Sequence, residues 1–261
     1  MSAPKTFRVA LRLLLLGGVF VTAFLDFGLR LWLLGRAGSI KHRALFLQRW
    51  ARAFSRVFHL EIQARGNPPA RGLLVANHLS YLDILSFGSR YPMVFVSKSE
   101  VASWPVVGAL TRCAGTLYIV RGQKSDVVRL GNEMVAVLEQ GVLVTLFPEG
   151  TSSDGSAVLP FRSSLLAPVE SRGWPATPAW VHYELDEGSV VDEVCYWRDM
   201  TFGAHLLNVL SKRRIRATVC FGTPVTGIDD RKELARELHA RVCQLKDEFL
   251  AGAPAGPSVR V

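Results

Sequence analysis

The chain has 261 residues, is 49% hydrophobic and 20% charged, and carries a formal net charge of +9. This composition excludes an intrinsically disordered polymer and is enough for one large buried core. The four cysteines, Cys113, Cys195, Cys220 and Cys243, make no C-x-x-C pair, so neither a metal site nor a dithiol redox motif is expected, and free thiols in a reducing compartment are.

The positive charge gathers in the first quarter. Between Lys5 and Arg71 twelve basic residues stand against only Asp26 and Glu61. Such an excess calls for an anionic partner, either nucleic acid or a membrane surface. Leu13 to Leu25 is an uncharged apolar run, and Phe27-Gly28-Leu29 extends it past Asp26 to Arg30. The run is short for a span of about 20 residues, and it can either insert obliquely or span with Asp26 near one headgroup layer. A cleaved secretory leader is the alternative, with Arg8 and Arg12 as its basic start and Val21-Thr22-Ala23 as its cleavage site. From Ile40 to Phe58, Leu47, Trp50, Phe54, Val57 and Phe58 recur at helical spacing beside Phe46, with Arg49, Arg52 and Arg56 between them. A helix of that pattern lies in the headgroup plane of an anionic leaflet. The basic residues sit among hydrophobic ones rather than on a reading motif, so no nucleic acid is expected.

Beyond Gly66 strand-like runs appear at residues 73–76, 93–97, 117–120, 142–147, 177–182 and 215–221. Helical patterns at 125–140 and 230–250 lie among them. This alternation predicts an α/β fold, a mostly parallel central sheet flanked by helices, preceded by membrane-binding N-terminal helices. The expected division is an anchor over 1–65, a catalytic domain over 66–250 and a frayed tail over 251–261.

Chemistry-bearing residues fall where strands end. Asn77-His78 and Asp83 follow the run at 73–76, and an imidazole held by a carboxylate can take a proton from a hydroxyl at neutral pH. Asn77 is either an oxyanion donor or a turn residue. Lys98 follows the run at 93–97 and is a candidate anion contact. Arg121 closes Gly115-Thr116-Leu117-Tyr118-Ile119-Val120-Arg121, where a buried charge would require an anionic partner. Glu149, Gly150 and Thr151 form a Pro-Glu-Gly turn whose N–H groups can meet an anion or a tetrahedral intermediate. No G-x-S-x-G elbow is present. His42, His59, His182, His205 and His239 lack a comparable partner and read as structural or surface residues.

Taken together, these motifs resemble the lysophosphatidic acid acyltransferase superfamily. Its N-H-x4-D motif matches His78 and Asp83, its G-x-x-F-x-x-R motif matches Gly115, Tyr118 and Arg121, and its F-P-E-G-T motif matches Phe147 through Thr151. A later proline-bearing strand matches Thr177 to Val181, in the same order. The resemblance implies transfer of a fatty acyl group from an acyl thioester, on acyl carrier protein or coenzyme A, to a lysolipid hydroxyl. It implies His78 as general base, Asp83 as its orienting partner, direct attack without an acyl-enzyme, and no cofactor beyond the acyl donor. It places Arg121 and Glu149 at the acceptor. The implied location is the cytoplasmic face of the inner membrane.

The family acceptor is 1-acyl-sn-glycerol-3-phosphate, giving phosphatidic acid. Two departures weigh against a phosphate. Val120 replaces the usual Asp or Asn before Arg121, and Ser152-Ser153-Asp154 replaces the arginine that usually follows Thr151. The wording F-P-E-G-T-S-S-D-G is similar to that of the lyso-ornithine lipid acyltransferase branch, whose acceptor carries no phosphate. Lyso-ornithine lipid is therefore the alternative acceptor. A non-catalytic membrane-binding protein is the alternative of a different class.

Overall fold

The computed structural model describes residues 3–34, 38–166 and 172–252. Most of the expected frayed tail, from residue 253, lies outside the described residues.

Two helices open the chain, α1 (Ala3–Leu34) and α2 (Ile40–Phe58). Ser39 caps α2 by accepting the His42 N–H, and His59 ends it in the left-handed conformation at φ 51°. The boundaries of α2 match those expected from its apolar spacing. It buries Ala44, Phe46, Ala51, Phe54, Val57 and Phe58. Gly115 lets α2 come close: a Cβ there would lie 2.8 Å from the Ile40 side chain.

The remaining elements alternate as expected. They are β1 (Leu60–Arg65), β2 (Leu73–Ala76), α3 (Leu82–Gly88), β3 (Met93–Lys98), α4 (Val107–Cys113), β4 (Leu117–Ile119), α5 (Lys124–Glu139) and β5 (Leu143–Leu146). After them come β6 (Ala176–Leu185), α6 (Val190–Glu193), α7 (Phe202–Ser211), β7 (Ile215–Phe221) and α8 (Arg231–Leu250). The sheet runs β1-β7-β6-β2-β5-β3-β4, and every neighbouring pair is parallel except β6 with β7. Strands β2 and β5 are buried along their whole length, as strands covered on both faces should be.

One boundary needs correction. β1 pairs with β7 from Leu60 to Arg65, so the catalytic sheet begins inside the stretch expected to belong to the anchor. Its Leu-Glu-Ile-Gln-Ala-Arg sequence reads as polar because an edge strand keeps one face in solvent.

The first helix rests on the body along one side only. Arg12, Leu16 and Ala23 are buried, while Phe7, Leu11, Leu14, Val21, Leu25, Leu29 and Trp32 are exposed. Leu13, Leu15, Leu31 and Leu33 are exposed as well, so apolar surface faces outward around most of the helix and only a narrow side meets the body. Among the described residues α1 is the helix long and apolar enough to cross a membrane. Arg12 and Asp26 are turned inward, whereas Lys5, Thr6 and Thr22 are exposed. Asp26 binds Arg30 Nε at 2.6 Å, Arg49 at 3.0 Å and the Trp50 indole N–H at 3.1 Å, which pins α1 to α2.

Candidate active site

The sheet register brings the candidate residues to one edge. Leu74, Thr145 and Phe95 lie at the same level on β2, β5 and β3, and Val96 pairs with Leu117 one step further on. His78, Glu149, Lys98 and Arg121 each leave their strand three to five residues beyond that level. All four therefore emerge at the carboxyl end of neighbouring parallel strands, where α/β sheets place ligands. Strands lie about 4.8 Å apart, so Arg121, three strands from His78, is set off by roughly 14 Å.

His78 and Asp83 form the centre. His78 Nδ1 lies 2.6 Å from Asp83 Oδ2. Asp83 is wholly buried in the first turn of α3. Its Oδ2 also accepts the N–H groups of Leu79 (2.8 Å) and Ser80 (3.1 Å), and its Oδ1 accepts the Tyr183 hydroxyl at 2.7 Å. Four donors fix the carboxylate in one orientation. Burial first, and then the charge of Asp83, raises the Tyr183 phenol well above its ordinary pKa, so it serves as a donor. The His78 ring stacks on Phe147 with centroids 4.3 Å apart. With Nδ1 committed to Asp83, Nε2 is the nitrogen left to accept a proton.

Glu149 is buried close to this pair. It is 3% exposed, and both carboxyl oxygens lack a hydrogen bond of normal geometry. The backbone N–H groups of Leu159 and His78 point towards it without closing such a bond. Burial pushes its pKa up to about 8, against the smaller lowering effect of those two N–H groups. Gly150 adopts φ +72°, and a Cβ there would lie 2.9 Å from Arg162 Nε, so an arginine guanidinium packs on the turn. Thr151 is exposed beside it.

The Asn77 side chain is bonded into the sheet. Its side-chain N–H donates to the Val181 carbonyl at 3.1 Å and its Oδ1 accepts the Val181 N–H at 2.8 Å. Both ends of the amide are engaged in the sheet, which favours the structural alternative for Asn77 over the oxyanion donor. Lys98 and Arg121 sit further along the edge. Lys98 Nζ lies 5.9 Å from the centre of the Trp104 ring, and Arg121 is exposed rather than buried. The Glu100 carboxyl is held low mainly by its own N–H, with Lys98 and Arg121 both adding to the effect, so the two cations share one neighbourhood.

The segment after the turn is tied down tightly. The Ser152 hydroxyl donates to the Tyr196 carbonyl, the Ser153 N–H donates to the His78 carbonyl at 2.9 Å, and the Asp154 carboxylate accepts from the Ser156 N–H and hydroxyl. Sequence reasoning missed Tyr183 and the 195–198 loop, because neither carries a motif or stands near Asp83 in the chain. Among the described residues no group of three or more His, Cys, Asp or Glu could hold a metal ion. Cys113, Cys195, Cys220 and Cys243 are free.

Residues 59–182 match the family model described as Acyltransferase. The chain is 37% identical over 198 residues to a lyso-ornithine lipid O-acyltransferase of Rhodobacter capsulatus, covering 71% of this chain and 70% of that protein. It is 30% identical over 149 residues to a 1-acyl-sn-glycerol-3-phosphate acyltransferase of Neisseria gonorrhoeae, covering 57% and 58%. The crystal structure of the 1-acyl-sn-glycerophosphate acyltransferase PlsC from Thermotoga maritima superposes with a TM-score of 0.71 at 20% identity, over 95% of this chain and 96% of that one, which shows a shared fold. With His78 and Asp83 paired at the edge of that fold and a relative matched across most of its length, the chain belongs to the acyltransferase family and is an enzyme.

Proposed function

We propose that this enzyme acylates the free hydroxyl of a lyso-ornithine lipid, using an acyl thioester carried by acyl carrier protein or coenzyme A. One observation carries the choice of acceptor: Ser152-Ser153-Asp154 follows the Glu149 turn, with the Ser152 hydroxyl spent on the Tyr196 carbonyl and a carboxylate at 154. A phosphate would meet no bidentate donor at position 152 and a negative charge two residues on. The similarity to the Rhodobacter capsulatus protein points the same way.

The chemistry follows from the pair. His78 Nε2 takes the proton of the acceptor hydroxyl as the oxygen attacks the thioester carbonyl, and Asp83 stabilises the imidazolium that forms. The Thr151 N–H, which has no backbone acceptor among the described residues, is the donor offered to the oxyanion. As the tetrahedral intermediate collapses, the C–S bond breaks and the imidazolium returns its proton to the thiolate. No acyl-enzyme is formed. Lys98 and Arg121 face the acceptor's carboxylate.

We place the enzyme in the plane of an anionic membrane, at the cytoplasmic face of the inner membrane. The exposed apolar surface of α1 enters the acyl region while Arg12 and Asp26 stay on the protein side. A helix seated along the catalytic body suits that arrangement better than a crossing.

1-Acyl-sn-glycerol-3-phosphate is the second reading. It is favoured by the two cations Lys98 and Arg121, which both act on the Glu100 carboxyl and so stand close enough to share one anion. Turnover of the two acceptors with one acyl donor decides. Lyso-ornithine lipid should be used at least about tenfold faster, and the reverse order would overturn the assignment. Normal turnover by folded His78→Ala protein would sink the mechanism.

A further inference from the structure

A chain of contacts runs from α1 to the catalytic loop. Arg12 is 3% exposed although it lies in an apolar helix. Its guanidinium donates to the carbonyls of Leu210 (2.9 Å), Lys212 (2.5 Å) and Arg213 (3.3 Å), and Arg8 donates to that of Ser211 at 2.6 Å. These carbonyls close the carboxyl end of α7, which has no further turn to satisfy them. Two arginines there also meet the negative end of the helix dipole. The buried Arg12 guanidinium thus spends three N–H groups on the end of a helix 190 or more residues away in sequence.

Helix α7 carries His205, which is 5% exposed. Burial lowers the His205 pKa, opposed only by its bond to the Cys195 carbonyl, so the ring is neutral at pH 7. Its Nε2 lies 3.1 Å from the Cys195 carbonyl, and its Nδ1 lies 3.1 Å from the Tyr81 hydroxyl. A carbonyl only accepts, so Nε2 holds the ring's proton and Nδ1 accepts from Tyr81. Tyr81 belongs to the loop between His78 and Asp83. Its ring meets Tyr196, Phe202 and His205 edge-on, with centroids 5.2 to 5.7 Å apart. The Tyr196 N–H donates to the Leu79 carbonyl at 2.8 Å. The loop that aims two N–H groups at Asp83 is therefore held from outside at residues 79 and 81, by the segment on which α7 rests.

We infer that His205 is a positioning residue for the His78–Asp83 pair, and that α1 sets its place through Arg12 and Arg8. Seating the membrane helix on α7 and aligning the catalytic loop are then one event. The inference rests on the acyltransferase mechanism proposed above.

The test uses the full-length protein in detergent with lyso-ornithine lipid and one acyl donor. The variants are His205→Ala, His205→Gln, Tyr81→Phe, Arg12→Lys and the double variant Arg12→Lys/His205→Ala. Melting temperature and kcat per folded protein are read together. The proton between His78 Nδ1 and Asp83 is followed as a downfield NMR line, assigned by its absence in His78→Ala. A misplaced pair should cost about ten- to a hundredfold in kcat while KM stays within about twofold. His205→Ala and Tyr81→Phe should both show this loss and shift the proton line, and His205→Gln, which keeps a donor and an acceptor, should recover part of it. Arg12→Lys should lower kcat alone but add nothing to kcat in the His205→Ala background, because the two act in series. A lower melting temperature with unchanged kcat and an unmoved proton line in His205→Ala would overturn the inference, as would losses that multiply in the double variant. If the wild-type protein acylates neither lysolipid, the proposed function fails, and the proton line alone still decides whether His205 positions the pair.

Discussion

Replacing Glu149 by glutamine isolates the cost of burying that carboxyl. The side chain is 3% exposed with no well-formed hydrogen bond, and its pKa rises from the ordinary 4.5 to about 8. Between those values the folded protein holds a proton that the unfolded chain has released. Stability then falls as pH rises, at ~1.4 kcal/mol per pH unit. The stabilisation is whole below pH 4.5 and lost as pH passes through 8. From pH 5 to pH 7.5 the loss amounts to roughly 3 kcal/mol. Glutamine has nearly the same shape and does not titrate, so Glu149→Gln should be no more stable than wild type at pH 5 and about 3 kcal/mol more stable, relative to it, at pH 7.5. For a chain of this size that is a gap of about 6–12 °C in melting temperature. Thermal melts of both proteins at half-unit steps from pH 5 to 8 read the gap directly, and other titrating groups cancel in the difference. Parallel curves would refute the reasoning, because they would mean that Glu149 is ionised at neutral pH and has found a partner.

Other substitutions separate the fold from the chemistry. Tyr183→Phe removes the hydroxyl bonded to Asp83 and near Ser86, and should cost about 2 kcal/mol of stability while leaving the Leu79 and Ser80 N–H groups to hold the carboxylate; denaturant melts measure the loss, and activity should stay well above that of His78→Ala. Asp26→Ala frees Arg30, Arg49 and the Trp50 indole, and with the arginines partly in solvent it should cost only about 1 kcal/mol, read as a lower melting temperature. Leu25→Asp together with Leu29→Asp places two charges on the exposed apolar surface of α1, and flotation with anionic vesicles should drop sharply while circular dichroism is unchanged. Ser152→Arg restores a bidentate donor after the Glu149 turn, and the ratio of lysophosphatidate to lyso-ornithine lipid turnover should rise.

Much of the site was legible because its residues follow strands. Runs at 73–76 and 215–221 were read with the boundaries they have, and a parallel sheet carries residues that end such runs to one edge. The same logic fails where a strand is half in solvent, and β1 went unread because its burial alternates at the rim of the sheet. It also fails for partners joined only by the fold. Tyr183 reaches Asp83 across 100 positions of chain from a buried strand whose sequence reads as ordinary core. Asn77 had the right neighbours for chemistry and is spent on Val181 instead.

Arg12 is the most instructive case. In the sequence it looks like a basic residue flanking a hydrophobic run, the kind that sits among lipid headgroups. In the fold it is buried and donates to three carbonyls at and just beyond the end of α7, those of Leu210, Lys212 and Arg213. A charge in such a place is tolerated because these carbonyls offset its desolvation, and losing them would cost several kcal/mol. Those bonds exist only when α1 lies against the body. A helix that crossed the bilayer would carry Arg12 away from those carbonyls and leave both sides unsatisfied. The same arginine therefore argues for a helix held against the body, as the proposed in-plane placement requires, and for the link from that helix to His205.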